Sequence, residues 1–137
     1  MPRPIAATIH MGALRHNLQR MREAANVRTL WAVVKANAYG HGLLRAARAF
    51  EAADGLAMID LCDAQKVREH GWTKRILLLE GFFDETDIPL LEKFNIETIV
   101  HNRHMIELLK VHAPYKSLKV HIKINSGMNR LGFLPKE

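Results

Sequence analysis

Cysteine is nearly absent. Cys62 is the only one in 137 residues, so no disulfide can close within the chain, and a reducing cytoplasm is the expected setting. Cys62 itself is expected to be a small buried residue, not a nucleophile. Long apolar runs are absent too. The longest, Leu30–Val34, has five residues, far short of the roughly 20 that a membrane helix needs. The opening MPRPIAATIHMG holds no apolar core of secretory type. Runs of like charge are also lacking. The net charge is +6, yet no basic run exceeds the pair Lys74-Arg75. Aromatic residues are few, at 7%, and do not interleave with the basic ones as a nucleic-acid stacking platform requires. The charge therefore reads as solvated helix faces, with no nucleic-acid and no membrane partner. No GxGxxG follows the first strand and no GxxxxGK[ST] occurs anywhere, so nucleotide binding lacks support. His41, His101, His104 and His121 find no third ligand at suitable spacing, and no metal is expected.

What remains is the material of a soluble α/β domain, 48% hydrophobic and 25% charged. Ala7–His10 reads as a short strand. From Met11 to Asn26, Leu14, Leu18, Met21 and Ala25 fall at helical spacing, with Arg15, Gln19, Arg22 and Glu23 on the other face and His16 at the surface. Strands are expected at Leu30–Val34, Gly55–Asp60, Arg75–Glu80, Glu97–Val100 and Leu118–Asn125. Helices are expected at Leu43–Ala53, Asp63–His70, Asp84–Phe94 and Asn102–His112, the last broken by Pro114. Strands about twenty residues apart with helices between them imply βα units and a parallel sheet. Periodicity leaves open whether five such units form an open doubly wound sheet or part of an eight-unit barrel.

Two stretches carry chemistry. LWAVVKANAYGHG, Leu30–Gly42, places Lys35 where a buried strand meets a small, glycine-punctuated turn. Burial disfavours the ammonium form, and an amine that gives up its proton is a nucleophile. The blander reading is a strand-end lysine that snorkels to water. In LKVHIKIN, Val120, Ile122 and Ile124 share one face, and His121, Lys123 and Asn125 the other. In a barrel the polar face would point inward and need partners. In an edge strand it would simply be wet.

AVVKANAYGHG closely resembles the cofactor-lysine segment of alanine racemases, which use pyridoxal 5′-phosphate (PLP). KINSGMNRLGF, Lys123–Phe133, resembles a second segment of that family, commonly with Asp-Thr or Asp-Ser where this chain has Asn125-Ser126. ILLLEGFFD, Ile76–Asp84, is similar to the family's third-strand region. The resemblance implies an α/β fold, the first five βα units of a (β/α)8 TIM barrel, with residues 1–137 as the amino-terminal part of the PLP-binding barrel domain.

It implies that Lys35 holds PLP as a Schiff base and serves as base on one face of the substrate's α-carbon. Tyr39 is implied as a phosphate ligand. Arg130 meets the cofactor's phenolic oxygen and the substrate, and Lys123 is a candidate for carbamylation. The reaction implied is interconversion of L- and D-alanine in a cytoplasmic homodimer, supplying D-alanine for peptidoglycan. The second base, in the family a tyrosine from the partner's β-rich second domain, is expected to lie outside this sequence, whose only tyrosines are Tyr39 and Tyr115. The chain thus reads as an amino-terminal fragment, inactive alone. The alternatives are a non-catalytic PLP-binding barrel protein and an amino-acid racemase of broader specificity.

Overall fold

The computed structural model describes residues 3–112 and 118–136. Pro114 and Tyr115 lie outside the described residues. Five strands form one parallel sheet in sequential order: β1 (Trp31–Val33), β2 (Gly55–Met58), β3 (Arg75–Leu78), β4 (Glu97–Val100) and β5 (Val120–Ile122). Helix α1 (Met11–Ala25) precedes them. A single left-handed helical turn, α2 (Lys35–Tyr39), and helix α3 (Leu43–Ala49) join β1 to β2. Helices α4 (Leu61–Glu69), α5 (Ile88–Lys93) and α6 (Arg103–Val111) fill the later crossovers. Each strand alternates between two environments. Ala32, Val34, Leu56, Met58, Ile76, Leu78, Ile96 and Val100 are buried in the core shared with the helices. Trp31, Val33, Ala57, Leu77, Glu97 and Ile99 occupy the opposite face.

That opposite face is concave. Trp31 on β1 meets His121 on β5 edge-to-face, with ring centroids 6.5 Å apart. In a flat sheet, four strand spacings would set these backbones about 19 Å apart. The sheet therefore curls as a barrel sector does, and the open doubly wound alternative falls away.

A polar layer fills the amino-terminal end of the concave face. Glu97 is only 3% exposed. It accepts hydrogen bonds from Arg75 Nε and Nη2, both at 2.6 Å, and lies 2.8 Å from His121 Nε2. The Arg75 guanidinium in turn sits 4.6 Å over the Trp31 ring. That ring lies across Gly55, where an added Cβ would come within 2.3 Å of a ring carbon. Burial alone would push the Glu97 carboxyl up, but the bonds from Arg75 and His121 outweigh it and hold the group below its ordinary value.

A depressed carboxyl pKa stabilises the fold above the unfolded value, ordinarily 4.5, and that contribution is lost as pH falls through the folded value. Glu97→Gln is accordingly expected to cost about 2 kcal/mol at neutral pH, less than a fully buried pair because Arg75 reaches solvent. The difference from wild type should shrink in acid. Urea unfolding at both pH values checks this, and a gap unchanged in acid would point to packing, not charge.

Several elements depart from expectation. Residues 7–10 form no strand, and no neighbour in the sheet pairs with them among the described residues. On α1 only Leu18 is buried, and Met21 is 59% exposed. Arg22, expected on the solvated face, instead bonds the Ala52 carbonyl at 2.8 Å and Asp54 Oδ2 at 3.0 Å. Asp54 also accepts from the Leu30 amide. Cys62 is exposed in the first turn of α4, not buried. The helix expected at Asp84–Phe94 splits into a 3-10 turn, Glu85–Asp87, and α5. Pro89 has no N–H to return to the Glu85 carbonyl, which interrupts the ladder there. Helix α3 stops at Ala49, short of Ala53.

Candidate active site at the carboxyl ends of the strands

Parallel strands place all their carboxyl ends on one rim, where barrels of this kind build their sites. Lys35 stands on that rim, half-buried, two residues past the end of β1. The chain then does something unusual for alanine. Ala36, Asn37, Ala38 and Tyr39 all take positive φ, between 51° and 54°. Left-handed geometry costs roughly 1–2 kcal/mol for each ordinary residue, so Ala36, Ala38 and Tyr39 together carry about 3–6 kcal/mol of strain.

Hydrogen bonds hold the turn in place. Ala38 N–H donates to Val34 O at 2.9 Å, Gly40 N–H to Ala36 O at 3.2 Å and Gly42 N–H to Asn37 O at 2.9 Å. The Leu43 amide donates to Asn37 Oδ1 at 2.8 Å, and His41 Nδ1 lies 2.9 Å from Ala38 O. Ala38 is buried beneath, while Tyr39 is turned outward and 60% exposed.

Lys123 follows β5 on the same rim, half-buried, two residues past His121 and hence on the concave face. The alternation read from the sequence holds: His121 finds Glu97 and Trp31 inside, whereas Val120, Ile122 and Ile124 point away from it. Those three are 42%, 69% and 54% exposed, with no helix over them among the described residues. After Lys123 the chain loops out and returns. Asn125 N–H donates to Phe133 O at 2.8 Å, and Phe133 N–H to Lys123 O at 2.9 Å.

Arg130 rides on this loop, exposed. Asn125 organises it. Its Oδ1 accepts from the Gly127 and Asn129 amides at 3.0 and 3.1 Å, and its Nδ2 donates to Asn129 Oδ1 at 3.0 Å. The side chain at 125 thus serves the loop mainly as an acceptor of backbone amides, a task that asparagine shares with aspartate. Gly132 closes it at φ +116°, where a Cβ would fall 2.7 Å from the Asn125 nitrogen.

The rim and the loops that follow it thus carry an amine at Lys35, a phenol at Tyr39 and cations at Lys123 and Arg130. Among the described residues, none of these four side chains makes a hydrogen bond or ion pair. An uncommitted amine on the same rim as cationic and hydroxyl donors suits an anionic aldehyde, the chemical character of PLP. Two features escaped sequence reading. Glu97 sat unmarked in an ordinary strand pattern, and the handedness of 36–39 has no signal in the residue types Ala-Asn-Ala-Tyr. Among the described residues no group of three or more His, Cys, Asp or Glu could hold a metal ion. None of the helices there is long and apolar enough to cross a membrane.

Comparison with known proteins covers the same residues. The family model described as alanine racemase, N-terminal domain, matches residues 9–137. The alanine racemase of Delftia acidovorans is 53% identical over 135 residues, 98% of this chain and 37% of that protein. That of Variovorax paradoxus is 51% identical over 135 residues, with the same coverage. Among solved structures, the biosynthetic alanine racemase from Pseudomonas aeruginosa aligns with TM-score 0.87 and 37% identity, over 92% of this chain and 36% of that one. A histidine racemase from Leuconostoc mesenteroides aligns with TM-score 0.81 and 30% identity, over 90% of this chain and 34% of that one. The chain therefore spans little more than a third of the length of the proteins it matches.

Proposed function

The chain belongs to the alanine racemase family, and from that premise we propose that it is the cofactor-lysine part of a PLP enzyme interconverting L- and D-alanine. The observation that carries this is Lys35, uncommitted, at the carboxyl end of β1 and followed by a strained turn. When bound, PLP supplies the electron sink that makes the substrate's α-proton removable. Lys35 Nζ would hold the cofactor covalently, and once displaced would take or return that proton on one face of the α-carbon. The Tyr39 hydroxyl would hold the phosphate. Arg130 would meet the phenolic oxygen of the ring and the substrate, with Lys123 beside it. Two facing cations repel, and a carbamate on Lys123 would turn that repulsion into an ion pair.

Inverting a stereocentre needs a second acid/base on the opposite face. We assign that group to residues beyond this segment, in keeping with the family's use of a tyrosine from the partner subunit of a homodimer. Residues 1–137 are then the first part of the barrel domain, and the enzyme works in the cytoplasm, feeding cell-wall synthesis. The histidine racemase among the structural neighbours favours one second reading, a racemase of different side-chain preference on the same barrel.

One set of measurements on the full-length enzyme tests the assignment. Borohydride reduction with PLP should fix the cofactor on Lys35. Tyr39→Phe should release cofactor about tenfold faster while leaving the fold intact, the scale of one lost hydrogen bond to a charged group. Intact mass under native conditions, in bicarbonate, should show added carbon dioxide on Lys123. Label on another lysine, unchanged cofactor release or an unmodified Lys123 would each remove the corresponding role. Turnover of L-histidine in preference to L-alanine would select the second reading.

A further inference from the structure

We propose that Asn37 is a positioning residue for Lys35: its side chain ties the left-handed turn to the start of α3 and so fixes where the Lys35 amine stands. This rests on the reading of Lys35 as the cofactor lysine.

The turn after Lys35 is strained at successive residues, and alanine side chains have no polar group with which to hold it. Asn37 does so twice. Its carbonyl accepts from the Gly42 amide at 2.9 Å, and its Oδ1 accepts from the Leu43 amide at 2.8 Å. Leu43 is 3% exposed and opens α3, whose Ala46, Ala47 and Ala49 are also buried. The anchor is therefore a helix fixed in the core, and the turn hangs from it.

Most other bonds in the segment do not reach that anchor: Ala38 N–H, Gly40 N–H and the His41 ring bond back within residues 34–41. Arg45 of α3 donates to the His41 carbonyl at 2.8 Å, but from an exposed side chain and at the far end of the turn from Lys35. Asparagine also tolerates positive φ better than most residues, so one side chain both permits the turn and fastens it. The Asn37 side chain is thereby committed to the Leu43 amide; it acts on the chemistry through Lys35.

The experiment compares wild type with Asn37→Asp, Asn37→Gly and Asn37→Ala in the full-length holoenzyme. Turnover is normalised to the cofactor that borohydride fixes on Lys35, so that loss of folded protein does not enter. Aspartate keeps the acceptor at a helix start and should stay within about threefold of wild type. Alanine and glycine both lose the acceptor. Each should fall about ten- to a hundredfold in kcat with little change in KM, as misplacement of a reacting group does. Glycine keeps the backbone freedom, so a glycine variant with wild-type turnover would overturn the role given to the side chain. An alanine variant with wild-type turnover would do the same. Failure of the underlying reading looks different: wild type itself would take no borohydride label on Lys35.

Discussion

Lys35→Ala in the full-length enzyme is expected to abolish racemisation, with turnover down by at least about a thousandfold at saturating alanine. On the proposed reading the lysine has two tasks, to hold the cofactor and to move the α-proton, and both would be exercised in the transition state. A group used only for ground-state binding would raise KM and leave kcat alone. The geometry favours the first outcome. Lys35 and Lys123 are both uncommitted amines at strand ends on the rim, but only Lys35 is followed by the strained left-handed turn that holds its backbone. Steady-state kinetics with excess PLP decides the matter. A variant with wild-type kcat and a higher KM would reduce Lys35 to a binding residue and move the base elsewhere.

Residues 1–137 on their own are expected to form no measurable D-alanine from L-alanine and PLP. On the proposed reading the rim residues offer a base for one face of the α-carbon only, and inversion needs both faces served. The sheet gives a second reason. Among the described residues β5 has a neighbour on one side only, β4, and its outward face exposes Val120, Ile122 and Ile124. A parallel strand normally has both faces covered, and an apolar open edge invites association. The isolated chain should therefore be marginally stable and prone to self-associate, readable by light scattering alongside a D-amino-acid oxidase assay. Adding the remainder of a racemase, fused or as a complementing fragment, should restore turnover. Robust activity from residues 1–137 alone would place both bases within them.

Much of this was legible in the residues. Glu97–Val100 was read to the residue because its apolar and β-branched positions stand between clear turn signals. That His121 and Lys123 share one face followed from the two-residue period of a strand; that the face points inward took the contacts of His121 with Glu97 and Trp31 to show. The curl of the sheet was not legible, because strand-helix alternation is common to open and closed sheets; it took the Trp31–His121 contact to show it. The bond from Arg22 to Asp54 spans 32 positions, and helical spacing carries no information about such distant partners. Cys62 was misplaced because composition ranks cysteine as buried, whereas its place in the first turn of α4 turns it outward. The left-handed turn was hidden most completely. Glycine signals a positive φ, but alanine and tyrosine do not, and here hydrogen bonds within residues 34–43 hold them against their preference.

The Trp31 ring lies where a side chain on residue 55 would have to be. Gly55 has no positive φ; it is chiefly the indole that calls for glycine, with the Arg75 carbonyl a further 3.1 Å neighbour of an added Cβ. Positions 31 and 55 are therefore one choice, not two. Among relatives, a tryptophan at 31 should travel with glycine at 55, and a branched or bulky residue at 55 should travel with a smaller one at 31. The Arg75 guanidinium loses its aromatic platform when the indole goes. On the barrel floor positions 31 and 55 would then vary together, while Arg75 keeps its bonds to Glu97 whichever residue stands at 31.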